Sequence, residues 1–270
     1  MCEDAAVTEP PQHIVRVSRD GETAYARLNG DRLEFFDAAP WTGGRLTGRT
    51  AAESEWQRLA PAEPTKIVCV GLNYRAHVAE SATVIPGGGD APSEPLLFLK
   101  PPSALLATGQ PIVYPHGVTR LDPEAELAVV IGRRARHVSA GRAHEFVAGV
   151  TAFNDVSARN YQRQDGQWTR AKGFDTFAPL GPALVMGLSP GALRVECRVN
   201  GECRQRGTTS DLLFPVPALI AHISGIMTLE PGDVIATGTP AGVAPVTPGD
   251  VIEVEVEGVG ILKNSVAAAP

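Results

Sequence analysis

Cysteine is scarce in this chain. Cys2, Cys69, Cys197 and Cys203 are the whole complement in 270 residues, and no two form a CxxC pair. That spacing gives neither a disulfide framework nor a zinc site. The thiols read as reduced, which points to a cytoplasmic protein. Cys69, inside an apolar run, reads as a small core residue. No apolar run nears the roughly 20 residues of a membrane helix, so no membrane partner is expected. The start, MCEDAAVTEPPQ, carries no signal pattern. Clusters of basic residues are missing too. With 24 Lys and Arg against 30 Asp and Glu, the formal net charge is −6, which excludes a nucleic-acid binder. TGTPAGV (237–243) is Gly-rich but lacks the Gly-Lys-Ser/Thr of a phosphate loop, which excludes nucleotide binding.

What is present suits a globular chain with a large core: 43% hydrophobic and 20% charged residues. Short alternating runs at HIVRVSR, TAYARLNG and RLEFFD predict a small antiparallel sheet over residues 13–36. Residues 40–64 are polar and rich in turn formers, and read as a linker. From KIVCVGLNY (66–74) onward the organisation changes. LLFLK, PIVYP, ELAVVIG, EFVAGVTAF, PALVMG, LRVECRVNG, DVIATG and DVIEVEVEG all read as strands. Helical pattern is scarcer: NYRAHVAES (73–81), SAGRAHEFVA (139–148) and VPALIAHISGI (216–226). VIPGGGDAPSEP (84–95), with three glycines in a row and three prolines, predicts a mobile loop. Few strands alternate with helices, so a β-rich α+β fold is expected rather than a doubly wound sheet. The division is a small N-terminal β domain with linker over 1–62 and a main domain over 63–270.

The sharpest feature is LDPEAELAVVIG (121–132). Side chains alternate along a strand, so Glu124 and Glu126 share a face and repel each other. Asp155 follows the later run EFVAGVTAF. Three carboxylates give hard oxygen ligands for Mg²⁺, Mn²⁺ or Ca²⁺ rather than zinc. Spacing alone leaves other readings open. A Glu-x-Glu pair can be a solvated sheet face, and Asp155 could cap a helix starting at Val156 or Ser157.

Seven stretches, in order, carry a resemblance: GLNYRAHVAE (71–80), FLKPPSA (98–104), RLDPEAELAVVIGR (120–133), FNDVSARNYQ (153–162), WTRAKGFDTFAPLGP (168–182), VNGECRQRGTTSDLLF (199–214) and VIATGTPAGV (234–243). Together they resemble the fumarylacetoacetate hydrolase family over roughly residues 65–268. The nearest likeness is to its bacterial branch of acylpyruvate hydrolases, oxaloacetate decarboxylases and 2-hydroxyhepta-2,4-diene-1,7-dioate isomerases of aromatic catabolism. The resemblance implies a mixed β-roll or sandwich, a Mg²⁺ or Mn²⁺ ion and a homodimer. It implies Glu124, Glu126 and Asp155 as metal ligands. His77 and Glu80, spaced i, i+3 on one helix face, match the family's water-activating pair. Lys172 matches its active-site lysine. Arg159, Gln162 and Thr239 match positions that touch substrate; if SARNYQ is helical, Asp155, Arg159 and Gln162 lie on one face. Three departures bear on the pocket mouth: a short connection after TGTPAGV, Ala218 where a glutamate is expected, and a long 84–95 loop.

These residues suit a small anionic 2-oxo acid. The leading expectation is C–C hydrolysis of an acylpyruvate-type diketo acid such as fumarylpyruvate. The alternative is decarboxylation or isomerisation of oxaloacetate or an oxo-diene-dioate. A subunit that binds metal and ligand without turnover is the reading from another class.

Overall fold

The computed structural model describes residues 10–81 and 91–270. Cys2 and residues 84–90 of the expected loop lie outside them.

Strands β1 (Gln12–Arg19), β2 (Glu22–Asn29) and β3 (Arg32–Phe36) form the meander predicted from the N-terminal alternation. Asp20 and Gly21 both hold positive φ, 50° and 83°, as a tight turn of a right-twisted hairpin demands. Two further strands follow, β4 (Leu46–Ala52) and β5 (Gln57–Leu59). The stretch read as a linker is therefore partly sheet. β4 is exposed along nearly its whole length, so no burial pattern announced it.

The main unit opens with β6 (Ile67–Gly71) and the helix α1 (Arg75–Ser81). Then come β7 (Leu96–Lys100), β8 (Leu105–Leu106), β9 (Ile112–Tyr114), β10 (Leu121–Asp122), β11 (Ala125–Ile131), β12 (Val147–Asn154) and β13 (Ser157–Ala158). Two short helices, α2 (Arg159–Asp165) and α3 (Thr169–Lys172), precede β14 (Ala178–Met186). The hairpin β15 (Arg194–Val199) and β16 (Glu202–Thr208), the helix α4 (Val216–Ile226), and strands β17 (Val234–Ala236), β18 (Val251–Val256) and β19 (Gly260–Ala268) complete the chain. SAGRAHEFVA is a 3-10 helix over Ala140–Phe146 that passes straight into β12. Val147 and Ala148 are drawn into the ladder because β11 lies alongside.

Twelve strands join one sheet, with the path β4-β3-β2-β1-β14-β12-β11-β17-β6-β7; β5 and β8 attach to β1 and β14. A second sheet runs β16-β15-β18-β19-β9. β11 is buried on both faces, which explains its unbroken apolar run. Its alternation sends Leu127, Val129 and Ile131 into the core shared with Val195, Cys197, Val254 and the α4 residues Leu219, Ile220 and Ile223. Ala128 and Val130 face the other way, toward Ile14, Phe153 and Leu180. Each of the buried Leu, Val and Ile side chains contributes roughly 1.5–3 kcal/mol of burial. This strand is thus pinned from both sides, and Glu126 lies on it. Among the described residues no helix is long and apolar enough to cross a membrane.

Candidate active site

The ladder between β11 and β12 assembles the three carboxylates. Its register pairs Ala125 with Asn154 and Glu126 with Phe153. Asp155 then donates its backbone N–H to the Glu124 carbonyl at 2.9 Å, and Asn154 Oδ1 accepts from the Glu124 N–H at 3.0 Å. Ligand oxygens of Glu124, Glu126 and Asp155 all lie within 4.8 Å of one another. All three residues are buried, which rules out a solvated sheet face. Asp155 caps no helix. The helix α2 begins at Arg159 with Ala158 at its cap, so of the three residues expected on one helical face only Arg159 and Gln162 share one. The β13 bridge to β10 keeps residues 157–158 extended.

Three buried cations face these carboxylates. Lys172, on α3, donates to Glu124 Oε2 at 2.6 Å and to Asp155 Oδ2 at 2.5 Å. Lys100, at the end of β7, donates to Asp155 Oδ1 and to the Val156 carbonyl. Arg159 donates to Glu124 Oε1 at 2.6 Å, Asp122 Oδ2 at 2.8 Å and Gln162 Oε1 at 2.9 Å. Burial pushes the Glu124 carboxyl up, but Arg159 and Lys172 outweigh it and hold the group well below its ordinary range. Burial would lower Lys172 as well, yet Asp155 and Glu124 keep its ammonium above the usual value. Lys100 goes the other way, lowered by burial and by neighbouring Lys172 against the pull of Asp155.

Glu126 stands apart. Among the described residues it has no cationic partner; its Oε2 accepts the Gly238 N–H at 2.7 Å. Burial, Asp155 and Glu124 push its carboxyl well above the ordinary range. Gly238 holds φ at +108°, and a Cβ there would meet the Asn73 Cβ at 2.7 Å. Only glycine brings this N–H so close.

His77 and Glu80 meet as their helical spacing predicts, with Nδ1 and Oε2 3.1 Å apart. His77 Nε2 points toward the centre, 4.0 Å from Glu124 Oε1. Glu80 also accepts from the Gly242 N–H at 3.1 Å. Burial raises the Glu80 carboxyl, and the His77 and Gly242 bonds reverse that and hold it ionised below its usual value. Thr239 lines the same pocket. Its hydroxyl donates to the Ala125 carbonyl at 2.9 Å and accepts from Gln205 Nε2 at 2.8 Å. A hydroxyl has one proton, so Thr239 offers a ligand a lone pair until that bond is released.

All nine residues singled out in the sequence gather around this point; Glu80, one step back, orients His77. Lys100, Gln205, Asp122, Phe98 and Trp168 were not singled out. Lys100 had a signal: a lone charge closing the apolar run LLFLK. Gln205 had none, since it reaches Thr239 from the second sheet.

The donor set fits a divalent cation. It is all oxygen, buried, and one of its carboxylates lacks a counter-charge. The ion pairs of Lys100, Lys172 and Arg159 go to Asp155, Glu124 and Asp122 and leave Glu126 without one among the described residues. Glu124, Glu126 and Asp155 are the residues that could hold it.

The fold is a β-rich α+β one, and its buried acidic centre is a group of carboxylates that could hold a divalent cation. Residues 66–267 match the family described as Fumarylacetoacetate (FAA) hydrolase C-terminal, and residues 12–61 match Rv2993c-like, N-terminal. The chain belongs to the fumarylacetoacetate hydrolase family, whose members are enzymes. It is similar to a structure of 5-carboxymethyl-2-hydroxymuconate delta-isomerase from Mycobacterium smegmatis (TM-score 0.88, 41% identity, 95% of this chain and 100% of that one). It is 44% identical over 226 residues to the human protein named oxaloacetate tautomerase FAHD2A, mitochondrial (79% of this chain, 68% of that one). It is also similar to a structure of maleylpyruvate hydrolase from Sphingobium (TM-score 0.77, 27% identity, 95% of this chain and 100% of that one).

Proposed function

We propose that this protein hydrolyses a C–C bond in an acylpyruvate-type diketo acid, with Mg²⁺ or Mn²⁺ as cofactor. The observation that carries this reading is the His77–Glu80 pair, 3.1 Å apart, with the second ring nitrogen turned toward the carboxylates. Glu80, ionised, accepts a hydrogen bond from Nδ1–H and leaves Nε2 as a base. A metal ion held by Glu124, Glu126 and Asp155 would supply a Lewis acid for the oxygens of a 2-oxo acid.

His77 Nε2 takes a proton from water, and the hydroxide adds to the acyl carbonyl. The bond between that carbon and C3 of the pyruvate portion breaks. The acyl group leaves as a carboxylic acid, and the pyruvate enolate takes at C3 the proton that His77 received from water, which returns His77 to its neutral form. Lys172 and Arg159 hold the negative charge that develops, and α2 turns Gln162 toward the same pocket.

Isomerisation, tautomerisation and decarboxylation share the enolate but need no attacking water. The activities for which the similar muconate isomerase and oxaloacetate tautomerase are named support this second reading. A product assay separates them. Metal-stripped protein, with and without Mg²⁺ or Mn²⁺, is given fumarylpyruvate, acetylpyruvate and, separately, oxaloacetate. Metal-dependent pyruvate plus free acid from a diketo acid is expected. Conversion of oxaloacetate alone overturns the hydrolase reading.

A further inference from the structure

We infer that the groove beside the carboxylate centre receives the far end of the substrate, and that Arg163 there selects a chain ending in a second carboxylate. The inference rests on the 2-oxo acid reading above.

Space is the first reason. The pocket at the carboxylates offers about 20 Å³, room for about one water. A groove of about 510 Å³ adjoins it, sharing Phe98, Gln162 and Trp168 as a common wall. Among the described residues, this groove is adjoining space into which the rest of a substrate gripped at the carboxylates can extend. Phe98 and Trp168 stack edge to face, with centroids 5.2 Å apart, and form the threshold.

The wall chemistry gives the occupant. β7 is inverted relative to ordinary burial: it hides Lys100 and exposes Leu96 at 40% and Leu99 at 47%. Both leucines line the groove, which calls for an apolar stretch of ligand. Arg163, next to Gln162 on α2, lines it as well and is exposed. The buried cations of the centre are engaged by carboxylates. Arg163 has no ion-pair partner among the described residues, so it is the guanidinium left to bind a second anion.

The test compares fumarylpyruvate, which ends in a carboxylate, with acetylpyruvate, which ends in a methyl group, using the wild type, Arg163→Ala and Arg163→Lys. The ratio of kcat/KM values, fumarylpyruvate over acetylpyruvate, should fall roughly tenfold in Arg163→Ala, the size expected for a partly exposed charge-assisted bond. The loss should appear in KM, Arg163→Lys should recover part of it, and acetylpyruvate should be unaffected. An unchanged ratio, or equal losses on both compounds, overturns the inference and leaves the hydrolase reading intact. Should the wild type turn over fumarylpyruvate alone, a KM raised about tenfold in Arg163→Ala supports the inference, and an unchanged KM overturns it. Turnover of acetylpyruvate alone overturns it. Turnover of neither by the wild type overturns the hydrolase reading and the inference with it.

Discussion

Lys100 and Asp155 form a buried ion pair between the end of β7 and the turn after β12. The ammonium also donates to the Val156 carbonyl at 3.0 Å. Removing Lys100 takes one of two ammonium partners from buried Asp155, which keeps Lys172. Lys100→Met should therefore cost less than the roughly 3–5 kcal/mol of a fully orphaned buried charge, about 1–3 kcal/mol for a lost buried partner. Equilibrium urea unfolding measures it. Within a double-mutant cycle, Asp155→Asn should recover part of the loss. A cost near zero would mean that the pair breaks even against an apolar filling.

Glu126 gives a different expectation. Among the described residues it forms no ion pair, and burial, Asp155 and Glu124 push it toward its protonated form. Glu126→Gln copies that form. The variant should match or exceed the wild type in thermal stability when metal is removed. It should bind Mn²⁺ more than about 100-fold more weakly, a loss that even an outer-shell partner can reach. Calorimetric titration and thermal melts with and without metal read the two effects separately. Wild-type affinity for Mn²⁺ in this variant would remove Glu126 from the ligand set.

His77→Ala should lower diketo acid hydrolysis by roughly 10²–10⁴-fold, the usual share of a positioned general base. Any oxaloacetate decarboxylation should fall less, because no water attacks there. Equal losses in the two assays would sink the assignment of His77 to water activation.

The N-terminal sheet carries a pH prediction. Half-buried His13, on β1, has its pKa lowered from 6.5 by burial first and then by Arg58. The folded protein therefore resists protonation more than the unfolded chain does. Stability from this group is fully present above pH 6.5. It is lost as pH falls from 6.5 to the lower folded value, and is constant below that. His13→Asn should flatten this part of the profile. Denaturation midpoints between pH 5 and 8, compared for the two proteins, check the sign.

The strands whose residues alternate or run apolar were legible in the sequence, because burial on one or both faces writes a period into them. Helix α4, with Leu219, Ile220 and Ile223 on one side, was legible for the same reason. β4 was not, since an exposed strand needs only backbone partners, and β3 supplies them. The carboxylates were legible as a candidate cluster with other readings open, and their role, like those of the His77–Glu80 pair and Lys172, drew its meaning from the surrounding family motifs. Gln205 reaches the site from the second sheet, and Lys100 from a strand of the first that is distant in sequence, so spacing along the chain carries no information about either contact. Asp155 was expected on the Arg159 face, but the β10–β13 bridge delays the helix past it.

β1 lies against β14 through the pairs Gln12–Met186, His13–Val185 and Ile14–Leu184, and β14 carries β12 on its other edge. The strands matched by two separate family descriptions thus share one continuous ladder. Such a ladder couples the melting of its parts, so a single cooperative transition is expected instead of two. Cutting the chain after residue 62 would turn β14 into a raw edge, with N–H and C=O groups free to recruit a stray strand. The N-terminal meander is therefore expected to guard the main sheet against misassembly.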